Sequence, residues 1–257
     1  YTTGNTYESF ACPFKGVYLG KGTTIRDSTA TKNGGAVSAN LCSIEMFNTS
    51  IIRALSLSGD GGAIMVSLES TLHVNKESRF ESNQALEGSG GAVSCRGCDT
   101  MSFSNGTLFD RNVGHKGGGA LDLLSPKNPI SSTESTYTNN EASTVNGGAV
   151  NLNGGVNWMS ISDTFSSNNA VLGSGGAMSA FGSFIHFDAS TSCTQNRALK
   201  GGGGCILWEP NAINIDDEKW ILHKPVIDNA LLVSSNQALY GSELATPGTS
   251  LRIVNLT

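Results

Sequence analysis

Seven side chains of this chain have the chemistry for proton transfer on an open sheet: Asp122, Asp163, Asp188, His73, His115, His186 and Lys116. Carboxylates and imidazoles converging from one face would act as acid and base in the cleavage of a polysaccharide. The spacing does not bring them together. His73 and His186 are the middle residues of the alternating triplets Leu72-His73-Val74 and Ile185-His186-Phe187, so both face outward. They lie four repeats of the pattern described below apart, about 19 Å at the usual strand spacing. Asp122 also faces out, but its counterparts one repeat away are Ser94 and Asn151, which make no carboxylate cluster. The glycine run 201–204 lacks the Lys-Ser or Lys-Thr of a phosphate-cradling loop. Cys95-x-x-Cys98 has the spacing of half a zinc site or a redox motif, yet no second such pair exists and no βαβ pattern surrounds it. These residues read as solvated surface and as a disulfide. No catalytic, cofactor-binding or metal-ligating residue is assigned, and no enzyme activity or cofactor is expected.

What positions every side chain here is a repeat. The stretch GGAVS at Gly34 returns as GGAIM at Gly61, GGAVS at Gly90, GGALD at Gly118, GGAVN at Gly147 and GGAMS at Gly175, with the variant GGCIL at Gly203. The start-to-start spacings are 27, 29, 28, 29, 28 and 28 residues. Nine or ten residues before most of these stands an apolar residue followed three later by Asn: FESN at Phe80, FDRN at Phe109, YTNN at Tyr137, FSSN at Phe165 and CTQN at Cys193, with VSSN at Val233 beyond an insertion. Two signatures in fixed phase mark a repeat protein.

Within each unit the apolar residues come in short bursts with period two. A strand follows each Gly pair, as at Ala92-Val93, and an alternating triplet comes about ten residues on, as at Met101-Ser102-Phe103 and Met159-Ser160-Ile161. A third burst ends at the aromatic of the Phe-x-x-Asn signature. Helical repeats would hold the Gly pairs in helix interiors at a cost of about 1 kcal/mol each. The reading is therefore an all-β, single-stranded parallel β-helix over residues 1–257, one domain of about eight turns with three short strands per turn. The aromatic stacks inside, one per turn; the Asn sits at a corner, satisfying backbone groups; the Gly pair makes the next corner, where a positive φ or close backbone approach excludes a Cβ.

Residues 1–33 form an imperfect first turn with Phe10, Phe14, Val17 and Leu19 as interior candidates, and Ile25 where later turns carry Phe. Residues 34–202 are the regular turns. The turn from Gly34 offers Ile52-Arg53-Ala54-Leu55 in place of Phe-x-x-Asn, and Ser125–Pro129 is a corner excursion, since proline cannot feed an interior strand. Residues 203–257 hold a final turn with an insertion, 208–220, and a terminal strand at Leu251–Val254.

The pairing of GGA-[VILM] with F-x-x-N at this phase resembles the repeat of the chlamydial polymorphic outer membrane proteins, over about Ile25 to Tyr240. The resemblance implies a right-handed β-helix displayed outside a cell and adhesion to a host surface. That family ends in a membrane-embedded β-barrel, and no such set of amphipathic strands is read in this sequence.

Six cysteines together with N-x-[ST] sequons suggest an oxidising, secreted setting. Phase selects the pairs Cys12–Cys42, Cys95–Cys98 and Cys193–Cys205. The sequons are Asn48, Asn105 and Asn255. The first two share a phase and belong on one outer edge of the coil, where a glycan would stand in solvent. Trp208 and Trp220 flank the acidic insertion and are candidate contacts for a protein or glycan partner.

A net charge of −5 argues against nucleic acid or an anionic membrane surface, and no run approaches the roughly 20 apolar residues of a spanning helix. The chain starts at Tyr1 without Met, which suggests a processed or excised product. These features point to an extracellular or cell-surface protein with a structural or adhesive role. Its partner would be itself, end to end or side by side, or a surface protein or glycan. The alternative is a carbohydrate-binding or polysaccharide-cleaving β-helix.

Overall fold

The structure is a computed structural model that describes residues 16–210, 225–228, 231–232 and 235–246. Among these residues every regular element is a strand. The strands fall into four parallel sheets, each eight strands deep, and successive strands of a sheet come from successive turns. This is the expected β-solenoid. One turn runs, for example, through Thr71–Asn75 in the first sheet, Arg79–Glu81 in the second, Gln84–Ala85 in the third and Val93–Arg96 in the fourth. The strands of the third sheet, two residues long in every turn before Arg197–Gly202, are an addition to the three strands per turn read from the sequence. They are too short to show a periodicity.

Register follows the repeat. Ile25, Ile51, Phe80, Phe109, Tyr137, Phe165 and Cys193 lie one above another in the second sheet. The rings of Phe80, Phe109, Tyr137 and Phe165 stack with centroids 4.9, 4.9 and 4.7 Å apart and planes within 5° of parallel. All four side chains are fully buried.

Three residues later in each turn runs a second buried ladder, of amides. Asn140 Oδ1 accepts from the backbone N–H of Asn112 and from its Nδ2, each at 3.0 Å. Its own Nδ2 donates to Phe109 O and to Asn168 Oδ1, also at 3.0 Å. Asn83, Asn112, Asn168 and Asn196 repeat the arrangement. Each interior amide is thus satisfied by the turns above and below, which is what allows it to be buried.

The two glycines of each pair are needed for different reasons. Gly147 has φ +74°, open to glycine without penalty. Gly148 has an ordinary φ, but a Cβ there would fall against the carbonyl oxygen of Gly176 on the next turn and 2.7 Å from the Asn169 backbone. At this corner the stacked backbones touch.

Three details differ from the sequence reading. In the turn from Gly34, Ile51 rather than Ile52 points inward, and Ala54 takes the place of the ladder Asn, its N–H donating to Asn83 Oδ1. In Asn157–Ile161 the phase is reversed: Trp158 and Ser160 are buried while Met159 and Ile161 face solvent. A one-residue slip moves every side chain to the other face, and Trp158 wins the interior because it pairs with Ile185. In the last turn Leu232, not Val233, lies beside Cys193, and Val233 is outside the described residues. Phe10, Phe14, most of the 208–220 insertion and the strand expected at Leu251–Val254 also lie outside them.

The excursion at Ser125–Pro129 is present and stays in the stack: Lys127 N–H donates to Cys98 O and Asn128 N–H to Asp99 O, and the chain re-enters at the buried Ile130.

Candidate functional site

The candidate acids and histidines occupy separate rungs, His73 and His186 four strands apart in the first sheet. His186 Nε2 lies 2.7 Å from Asp228 Oδ2 at one end of the first sheet. Asp122 is buried on the fourth sheet and pairs with Arg96 at 2.6 Å, while Arg96 also reaches Asp60 at 3.1 Å. Burial pushes the Asp122 carboxyl up despite the guanidinium. His115 and Lys116 are exposed on a corner.

One juxtaposition was not read from the sequence. Glu45, His73 and Ser102 are outward neighbours on three consecutive strands of the first sheet. His73 Nδ1 lies 2.8 Å from Ser102 Oγ. An imidazole beside a hydroxyl, with a carboxylate one strand away, has the composition of a nucleophile–base–acid set. The signal was available as three middle residues in phase, but a serine on a β-rich surface carries no weight without the contact.

The two described sequons share one corner. Asn48 has φ +48° and Asn105 φ +52°, left-handed positions that asparagine accepts. Asn48 N–H donates to Asn75 O and Glu77 N–H donates to Asn105 O, so this edge is stacked turn on turn. Asn105 is exposed and Asn48 half-buried. Thr107 Oγ1, the sequon hydroxyl of Asn105, is buried and donates to Ser104 O at 2.9 Å. Asn255 lies outside the described residues.

Cys95–Cys98 and Cys193–Cys205 are disulfides, as phase required. All four cysteines are fully buried, so the Cys-x-x-Cys motif is a core cross-link. Cys42 is disulfide-bonded too, and its expected partner Cys12 lies outside the described residues. The loops closed differ, with sequence separations of 3 for Cys95–Cys98 and 12 for Cys193–Cys205. Loop-closure entropy then predicts that replacing Cys193 and Cys205 by Ala lowers stability by about 3 kcal/mol, and replacing Cys95 and Cys98 by about 2 kcal/mol. Urea unfolding of the two double variants tests the order.

Trp208 corrects an expectation. It is 3% exposed and part of the core, and its indole Nε1 donates to Ser183 O at 3.0 Å. It follows the variant Gly pair on the same inward phase as Cys95 and Leu123, so it fills the coil instead of offering a platform to a partner. Trp220 lies outside the described residues.

A polar cluster interrupts the core. Interior positions filled by Val74, Phe103 and Phe187 on other turns are Ser132 and Ser160 here. Ser132 Oγ lies 2.9 Å from Tyr137 Oη. Ser160 Oγ donates to Asp163 Oδ2, and Ser135 N–H donates to Asp163 Oδ1 at 2.8 Å. Burial pushes the Tyr137 phenol well above its ordinary value and the Asp163 carboxyl up to about 7. Asp163 is fully buried and not the solvated surface acid that was expected. It occupies a corner position held by Thr49, Ser78, Thr107, Ser135 and Thr191 in other turns, two residues before the inward aromatic.

Comparison with protein-family models, curated proteins and solved structures finds no match to this chain.

Proposed function

We propose that this is a non-enzymatic extracellular protein, a rigid β-solenoid with a structural or adhesive role at a cell surface or in an extracellular fibre or coat. The observation that carries the reading is the pair of buried disulfides locked into the coil, since such bonds persist where the surroundings are oxidising. The stacked sequon corner supports it: Asn105 is exposed there, its Nδ2 donating to Asn75 Oδ1 at 2.6 Å in the unglycosylated chain. The structure has no helix among the described residues long and apolar enough to cross a membrane. Its partner is then a second copy or a surface protein or glycan.

Secretion from eukaryotic cells followed by mass spectrometry of the tryptic peptides tests the setting. Intact disulfides and a glycan on Asn105 are expected. The buried Thr107 hydroxyl requires that transfer precede folding of that turn. Electron microscopy and a glycan array then separate the two roles, with ordered filaments pointing to a structural subunit and single rods that bind glycans to an adhesin.

A second reading, a polysaccharide-binding or polysaccharide-cleaving β-helix, is favoured by the Glu45–His73–Ser102 row alone. Covalent labelling of Ser102 by a fluorophosphonate, lost in His73→Ala, together with hydrolysis of ester groups carried by a polysaccharide, would establish it and overturn the first.

A further inference from the structure

We propose that Asp163 is a pH-operated latch in the middle of the coil, holding the turns on either side together in its neutral form and loosening them when it ionises. The geometry is that of a carboxyl buried among hydrogen-bond donors with no cation beside it. Oδ1 takes the Ser135 N–H at 2.8 Å from the preceding turn, and Oδ2 meets the Ser160 hydroxyl on its own turn. In the neutral acid the Oδ2 hydroxyl and Ser160 Oγ exchange donor and acceptor roles, so a proton on Oδ2 has somewhere to go. On the third side, Asp163 N–H donates to Thr191 Oγ1 of the following turn at 3.4 Å.

The charged form keeps these donors but has no countercharge, and burial outweighs them. Among the described residues no lysine, arginine or histidine forms an ion pair with Asp163. The titratable groups facing it are Tyr137, reached through Ser132, and Asp188, whose Oδ1 accepts from Thr191 Oγ1 at 2.8 Å. Burial raises the Asp188 carboxyl, but backbone and hydroxyl donors together hold it below its ordinary value, so it stays ionised. Its charge repels a second one at Asp163. Asp163 itself is fully buried, where an unpaired carboxylate is costly.

The sign follows from linkage. The folded carboxyl titrates at about 7 against a reference of 3.8, so the fold binds the proton more tightly than the unfolded chain. The contribution is complete below pH about 4 and is lost as pH rises towards about 7, the unfolding constant growing at most tenfold per pH unit. Opening would concentrate at Ser132–Tyr137 and Trp158–Phe165, with the coil's ends unaffected.

The experiment is a pH series from 5 to 8.5 on the full chain, read by denaturant midpoint, by hydrogen exchange corrected for intrinsic rate, and by the ¹³Cγ shift of Asp163. The expected result is a midpoint that falls with pH, faster exchange confined to those two stretches, and a carboxyl titration near neutrality. Asp163→Asn should flatten the dependence. Ser160→Ala, which removes a donor to the charged form, should move it to higher pH, and it decides the matter if Asp163→Asn does not fold. A carboxyl titration below pH 5, an unchanged pH dependence in the variant, or exchange that rises uniformly along the coil overturns the proposal.

Discussion

Gly148→Ala is expected to cost about 4 kcal/mol or more, in the range that marks a steric failure of the fold. The added methyl meets the Gly176 carbonyl and the Asn169 backbone, and none of these atoms can move without breaking the parallel ladder. Gly155→Ala is the control. Gly155 has φ +80°, and a methyl added there would meet nothing within 4 Å, so only the left-handed backbone is penalised, by about 1–2 kcal/mol. Urea midpoints at constant m-value compare the two. Equal losses would mean that the stacked corners have room to spare.

The second large effect is at the amide ladder. Asn140→Ala removes the acceptor of two N–H groups of Asn112 and the donor to Phe109 O and Asn168 Oδ1. Unmade buried hydrogen bonds cost about 1–3 kcal/mol each, so a total loss of about 4 kcal/mol or more is expected. Asn140→Asp is more informative. A carboxylate keeps both accepted bonds but turns an oxygen toward two other oxygens, so the fold favours the protonated acid. Its folded pKa lies above the unfolded one, and stability present at low pH is lost as pH rises through it. The variant should be recovered by acid, as read by circular dichroism on titration. Equal stability at pH 4 and pH 8 would refute this account of the ladder.

Which features were legible in the sequence depends on whether one turn repeats the next. Phe80, Phe109, Tyr137 and Phe165 gave the fold because equivalent positions recur at near-constant spacing; their phase placed Cys193 and Cys205 inward as a pair, and closeness within one turn paired Cys95 with Cys98. Single exceptions were harder. Met159-Ser160-Ile161 alternates as well as any interior triplet, and only the neighbouring Trp158 shows that its phase is reversed. Asp163 reads as one more surface acid unless aligned with the Ser and Thr residues at its position. Of the candidate site, Asn48 and Asn105 fell on one corner because they too are in phase, whereas the contact between His73 and Ser102 depends on rotamers that no spacing reveals.

The amide ladder also has a direction. From Asn83 to Asn196 every Nδ2 points to the oxygen of the following turn, so the side-chain dipoles add along the coil much as peptide dipoles do in a helix. Among the described residues the electropositive end falls at Asn236, and there a carboxylate, Glu243 Oε2, accepts from Nδ2 at 2.6 Å. Glu243 stands where another asparagine oxygen would continue the row. The row of amide dipoles thus meets, among the described residues, the one charge that its electropositive pole attracts, which gives the coil a vectorial character that its repeated sequence does not announce.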